Sequence, residues 1–487
     1  MKYKKFFLTV CLMIFFISIV SVAAGDINET QLSNKDNITL IGSSQEDVIG
    51  NVDDGTFTSL QNKINNASEG STITLDRDYA YDEGFYEIGI VINKNLTIDG
   101  NGYTLDGKSK SRILMTLFGL NDNNKVTLNN INFVNGHTNY YGGAILNFAN
   151  MTVNNCSFTN NYAYYCGGAI ISVGYLDCMN SNFNKNTADG DGGAIFTLSF
   201  ENSVKFYHDF YLNRTVDGNL DFIPNIGMNV TFNFLKDKVA DCVFKDNVAN
   251  GRGGGAIYAF SNIDIASSTF TSNKAGEKGG AVFANKDVFI NNSKFTSNSA
   301  SKYGGAVYFK CHESSGYYNS SGKWVSEIKY YDNLIQKSTF TKNSASKGGA
   351  IYAFRTSSSD TIHCAKAVKC TFTDNMASTS GRDVYGGTTS NCVFNYLKLT
   401  LNSVNVKKSA KKLVLTAKLT KGKSLIKGKT ITFKFNGKTY NAKTNSKGIA
   451  KVTIKKNILK NLKVGKTVKY QAKYGKLTVK KSAKVKK

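Results

Sequence analysis

Hydrophobic and polar positions along this chain recur with a long period. A Phe, an Asn three residues on and an Ala two further appear at Phe158/Asn161/Ala163, Phe183/Asn186/Ala188, Phe244/Asn247/Ala249, Phe270/Asn273/Ala275, Phe295/Asn298/Ala300, Phe340/Asn343/Ala345 and Phe372/Asn375/Ala377. Gly-Gly-Ala-Ile or Gly-Gly-Ala-Val usually follows, with Gly pairs at Gly142, Gly167, Gly192, Gly254, Gly279, Gly304 and Gly348. The pairs are 25 residues apart from Gly142 to Gly192 and again from Gly254 to Gly304. Two longer gaps, of 62 and 44 residues, each hold one repeat plus an insertion, near 200–239 and 312–332. Repetition at such a period signals a solenoid. Twenty-five residues are too few for a helix pair with loops. They suit one coil of three short strands, and stacked coils then form three parallel sheets. Parallel crossovers are right-handed, so a right-handed parallel β-helix of about a dozen coils is expected over residues 51–397.

Each repeated residue has a physical reason. Phe and Ile/Val point inward and stack on their counterparts. The Gly pair supplies backbone angles that a side chain forbids, and the Ala fits where the chain bends over the core. Asn161, Asn186, Asn247, Asn273, Asn298, Asn343 and Asn375 are expected at a turn, in left-handed geometry. Their amides are expected to bond to one another as a structural ladder. Phe57, Leu60, Ile64 and Ala67 have helical spacing, with Thr58 and Gln61 as a capping box. That helix would cover the first coil, whose strand edges are otherwise unpaired. Strands are then expected at Thr72–Leu75, Ile88–Ile92 and Leu96–Ile98.

Beyond residue 397 the period shortens. Alternating stretches at Leu413–Leu419, Thr430–Phe435, Ile449–Ile454, Val468–Lys473 and Lys476–Val479, with a hairpin signal at Asn436-Gly437, predict an Ig-like β-sandwich over 398–487. The chain is 487 residues long and carries a net charge of +26. From residue 396 to the end there are 28 Lys and no Arg, Asp or Glu, which leaves 33 basic and 35 acidic residues in the rest. The cationic character therefore belongs to one domain. At the other end, Lys2, Lys4 and Lys5 precede an apolar run from Phe6 to Val22. It closes in Ala23-Ala24, so residues 1–24 read as a secretory signal peptide cut near Ala24. The alternative is a retained N-terminal anchor. Residues 25–50 read as a linker. No later run is long enough to span a bilayer, so no transmembrane anchor is expected in the mature chain.

The Gly-Gly-Ala-Ile and Phe-x-x-Asn pairing resembles the repeats of polymorphic outer-membrane proteins. It resembles more closely the adhesin-like surface proteins of methanogenic archaea, and that resemblance covers nearly the whole chain. It implies a pectin-lyase-like right-handed β-helix followed by a Lys-rich Ig-like domain, in a secreted or cell-surface protein. The implied function is adhesin-like: a β-helix stalk presenting loops that attach to surface glycans or proteins of other cells. Unlike the bacterial proteins, no C-terminal membrane barrel follows the repeats. Because β-helices also carry pectin-cleaving enzymes, fold alone does not settle function. A polysaccharide lyase or glycoside hydrolase, and a structural cell-wall component, are the alternatives.

The search for chemistry ends without a catalytic set. Four cysteines, Cys156, Cys242, Cys370 and Cys392, share one column with Ser181, Ser268, Ser293 and Ser338, which reads as small packed residues. Cys370 and Cys392 fall on successive coils, where a disulfide is an alternative. No Cys-x-x-Cys pair occurs and no two His have ligand spacing, so no metal and no cofactor are expected. Asp191 with Arg252, stacked across the first insertion, is the best local cluster, and an exposed ion pair explains it. The insertions are the expected binding surfaces. Their candidates are Phe206 and Tyr207 in the first and Tyr317, Tyr318, Trp324, Tyr330 and Tyr331 in the second. Aromatics beside Asn and Ser suit sugar or protein contact. They equally suit an extra hairpin packed on the array. The tail lysines read either as edge protection or as docking onto an anionic cell wall. Nucleic acid is excluded as a partner by export and by a tail without Arg.

Overall fold

A computed structural model describes residues 53–116, 124–199, 235–318, 323–354, 365–475 and 477–487. The expected signal peptide and linker lie outside the described residues, as do Phe206 and Tyr207. The chain divides into two compact units, Met1–Cys370 with Asn375–Asn391 and Thr371–Asp374 with Cys392–Lys487.

The repeats form a parallel β-helix. One coil runs through strands Asn150–Asn154, Ser157–Thr159, Tyr162–Ala163 and Ile170–Ser172. Each of these pairs in parallel with the equivalent strand of the next coil, so that Phe158 faces Phe183, Ala163 faces Ala188 and Ile170 faces Ile195. Repetition of this unit builds all-parallel sheets of eleven, eleven, eight and ten strands. The expected three sheets are thus four. The extra one is made of dipeptides such as Thr187–Ala188 and Val248–Ala249, between the Asn corner and the Gly pair.

Why these residues coil this way is visible in the interior. Phe133, Phe158, Phe183, Phe244, Phe270, Phe295 and Phe340 are wholly buried, and their rings stack at 4.7–4.8 Å between centroids. Burying each contributes about 1.5–3 kcal/mol, and offset stacking about 0.5–1.5 kcal/mol more. Beside them runs the Asn ladder. The Asn273 side-chain amide donates to the Phe244 carbonyl (3.0 Å) and to Asn298 Oδ1 (2.9 Å), while Asn273 Oδ1 accepts from the Asn247 backbone N–H (3.1 Å) and side chain (2.9 Å). The same set recurs at Asn161, Asn186, Asn247, Asn298 and Asn343. It starts at the Gly136 N–H and ends where Asn375 donates to the Asp383 carboxylate at 2.9 Å.

These Asn residues are not the left-handed ones. Positive φ falls on the residue before, at Asn160, Lys185, Asp246, Ser272, Ser297 and Lys342. The carboxamide is therefore free to turn inward. The Gly pair divides two tasks. Gly254 sits at φ +68°, and a Cβ on Gly255 would lie 2.1 Å from the Gly280 carbonyl oxygen, so neighbouring coils close on bare backbone.

Helix α1 (Phe57–Asn66) buries Phe57, Leu60 and Ile64 against the first coil. Its capping box is Thr56 with Ser59, two residues earlier than the Thr58/Gln61 expectation. Those two residues instead bond to the coil. Thr58 donates to Asp82, and the Gln61 amide takes the Val91 N–H at 2.7 Å and the Val91 carbonyl at 3.0 Å. Gln61 so satisfies backbone groups of the open edge strand Ile90–Ile92.

The second unit has two sheets around one core. Strands Leu397–Leu401, Lys412–Lys421, Ser424–Leu425 and Ile449–Lys455 form one. Val406–Lys407, Leu477–Lys486, Thr467–Tyr474, Thr430–Phe435 and Lys438–Lys443 form the other. Leu415, Ala417 and Leu419 of the first sheet share a cluster with Ile431, Phe433 and Phe435 of the second. Asn436 (φ 46°) and Gly437 (φ 80°) make the two-residue turn that their sequence predicts.

Candidate functional site

The second insertion is an antiparallel hairpin, His312–Tyr318 paired with Trp324–Tyr330, in a register that sets Tyr318 opposite Trp324 and Tyr317 opposite Val325. The side chains of Tyr317, Tyr318 and Trp324 lie outside the described set. Ile328 and Tyr330 are exposed, by 50% and 38%. Tyr331 is a correction to the expected binding group. It is buried, and its hydroxyl accepts from Lys286 at 2.8 Å, so it anchors the hairpin foot.

The Asp191 neighbourhood is also rearranged. Gly253, not Arg252, occupies the place next to Asp191, because the coil after the first insertion carries one extra residue before its Gly pair. Gly253 donates its N–H to Asp191 Oδ1 at 2.8 Å and bridges to Lys278, which bridges in turn to Tyr303. Burial raises the Asp191 carboxyl above its usual range, against the pull of the Gly253 and Arg252 backbone and the Arg252 and Lys278 charges. This is one carboxylate in a half-buried corner, whereas glycoside cleavage uses two.

Beside that column runs a half-buried aromatic row that the repeat motif did not reveal, with Phe283 and Tyr308 buried within it. Phe196, Tyr258, Phe283, Tyr308, Tyr352 and Tyr385 stack at 4.4–5.5 Å with planes within 15° of one another. Lys278 and Lys347 place their ammonium groups 5.5 and 5.7 Å from the Tyr308 and Tyr385 rings. The signal was present: extending Gly-Gly-Ala-Ile/Val by one residue reads aromatic from Phe196 to Tyr352. Stacked rings turn their faces to each other and their edges outward. A separate open cleft is lined by the carboxamides of Asn101, Asn130, Asn132, Asn155 and Asn182, with Ser157.

The interior holds unexpected polar groups. Asp237 is wholly buried at an inward position, paired with Ile263. It falls within the insertion expected at 200–239, but strand Lys236–Ala240 is part of the next coil. Its carboxylate accepts from the Leu176 N–H at 2.9 Å and the Ser261 hydroxyl at 2.6 Å, yet burial still pushes it up to about 7. Cys156, Cys242 and Cys370 are buried in the expected column. The Cys242 sulfur lies 3.8 Å from that of Cys178 on the preceding coil. Burial pushes the Cys156 thiol up to about 12, far from a reactive thiolate. Among the described residues no three or more His, Cys, Asp or Glu gather to hold a metal. No described helix is long and apolar enough to cross a membrane.

On the second unit the lysines occupy solvent faces, as in Thr430–Phe435, where Ile431, Phe433 and Phe435 are buried and Lys434 is exposed. No curated protein and no solved structure matches the chain. Six segments, residues 155–172, 180–198, 241–259, 267–285, 292–310 and 337–353, match the Chlamydia polymorphic membrane protein repeat. Each spans the Phe-x-x-Asn corner and the Gly pair that follows, so the chain carries polymorphic-membrane-protein-like repeats folded as a parallel β-helix.

Proposed function

We propose that this chain is an exported, adhesin-like surface protein whose β-helix displays attachment surfaces for glycans or proteins of other cells. The observation that carries this reading is the match of six coils to a repeat of surface membrane proteins. The architecture supports it. The array spends its repeated residues on stacking, and the 312–332 hairpin departs from the repeat. The Lys-rich unit, an Ig-like module by its sequence pattern, acts as the anchor on an anionic wall. Its residues 396–487 hold 28 Lys and no acidic residue, and dense exposed cations attract polyanions at low salt.

The test uses the mature chain from residue 25. Bound to beads, it is expected to retain cells or a subset of arrayed glycans, and replacing 313–329 by a short Gly-Ser turn should reduce retention severalfold. The isolated 398–487 fragment should bind purified anionic wall material at low salt and release it above about 0.5 M, where the Debye length is a few ångströms. Salt-insensitive wall binding overturns the anchor. Turnover of a polysaccharide, with or without Ca²⁺, that is lost in Asp191→Ala would replace the adhesin reading by an enzymatic one.

A further inference from the structure

The first coils bury a cation for which the described residues supply no anion. Arg112 stands two residues before Leu114, where the next coil has Gly143 two before Ile145, the residue paired with Leu114. A guanidinium so replaces a hydrogen atom at the most crowded corner of the coil. Its side chain is 4% exposed. The acceptors around it are all neutral: Nε donates to the carbonyls of Gly142 (3.1 Å) and Tyr141 (3.3 Å), Nη1 to that of Ile88 (3.1 Å), and Nη2 to Tyr141 (3.0 Å) and Thr138 Oγ1 (3.3 Å). Nη1 carries a second N–H beyond the Ile88 bond. Burial lowers the guanidinium only to about 10, so it keeps its charge at neutral pH. A buried charge without a counter-ion costs several kcal/mol.

Arg112 lines a small, partly open cleft. Lys110 and His137 stand on its rim with Asn139, and Met115 and Leu146 supply its apolar floor. Glu87 is on the same rim and opposes a doubly charged guest. A single planar carboxylate matches the guanidinium, and the ammonium of exposed Lys110 adds a second donor. An apolar ring face fits the floor, and a hydroxyl fits Asn139.

We propose that this cleft binds a monocarboxylate sugar acid, with its carboxylate against Arg112 and Lys110. The site does not rest on the adhesion reading. It is a property of the first three coils, and its occupancy is measured separately from cell retention. The probes are glucuronate, glucose and inorganic phosphate, titrated calorimetrically into the mature chain at low salt. Glucuronate is expected to bind at least tenfold more tightly than glucose. Lys110→Ala should weaken it about three- to tenfold, and Lys110→Glu and Arg112→Met should abolish it. Arg112 also ties three coils together, so Arg112→Met is read only where its melting curve matches that of the parent. Lys110→Glu, an exposed rim change, carries the test otherwise. Equal affinity for glucuronate and glucose, or binding unchanged in Lys110→Glu, overturns the proposal. Phosphate binding more tightly than glucuronate overturns the sugar-acid assignment and makes the cleft a phosphoryl site.

Discussion

The two units solve one problem, how to set strands side by side, with opposite chemistry. In the β-helix each residue faces its own counterpart one coil away, so a repeated charge would meet itself in every coil. The repeated residues are accordingly neutral: Phe, Asn, Gly and Ala. One outer column alternates its charges, with Asp177, Lys238 and Asp264 on successive coils and Lys236 and Asp264 paired at 2.9 Å. In the second unit the strands are mostly antiparallel and differ in sequence, and 28 lysines are accommodated by offset. Lys451 faces Thr416, Lys434 faces Thr439, Lys473 faces Thr478, Lys480 faces Gln471 and Lys469 faces Ser482. Like charges directly opposite are destabilising, and the pairing avoids them almost throughout. Lys412 with Lys455 and Lys407 with Lys486 are the exceptions. A high charge density is tolerable in a sheet when register interleaves it with hydroxyls. An in-register stack has no such freedom.

The contrast is broken most directly in the ladder. Asn273→Leu strands the Phe244 carbonyl, the Asn247 N–H and both neighbouring amides in a dry interior. Each unsatisfied group costs about 1–3 kcal/mol, so the β-helix transition should lose about 4 kcal/mol or more in urea unfolding followed by circular dichroism. Lys469→Gln in the second unit should change its own transition by less than about 0.5 kcal/mol. Comparable losses in the two would remove the distinction. Asp237 gives the next effect. Its folded carboxyl titrates near 7 and an unfolded one near 4, so the native state holds the extra proton between these values. Stability is therefore greatest at or below about pH 4 as far as this group is concerned, and falls as pH rises to about 7. At about 1.4 kcal/mol per unit the upper bound is ~4 kcal/mol. Asp237→Asn should flatten that slope, measured as melting temperature against pH, and a parallel curve for the variant would show that Asp237 is not its source. The smallest effect sharpens the register argument. Lys455→Thr relieves the Lys412 contact and should stabilise the second unit by about 0.2–1 kcal/mol at low salt, fading at 0.5 M. No gain at low salt would mean that the offset of lysines is incidental.

What was legible from the chain follows the same division. Period, inward Phe, the Asn ladder partners and the capping helix are written in identities at fixed spacing, and a repeat displays them many times over. The fourth sheet was hidden because its strands are dipeptides, too short for alternation to register. The left-handed corner was assigned to the conserved-looking Asn of each coil, but that geometry needs no single residue type. Asn, Lys, Asp and Ser all occupy it. Gln61 was read as a helix cap because both roles use the same amide, and only the position of Val91 decides between them. Arg112 and Asp237 were passed over for a different reason. Each occurs once, at a position defined by what other coils place there, and a departure from a stack is visible only after the stack is built.

The ladder also has a direction. Every coil receives one set of donors and acceptors from its predecessor and hands the same set to its successor, so plug and socket share one shape. Only its two ends differ, the Gly136 N–H at the start and the Asp383 carboxylate that takes the last amide. Whole coils can then be duplicated or deleted without inventing a new interface.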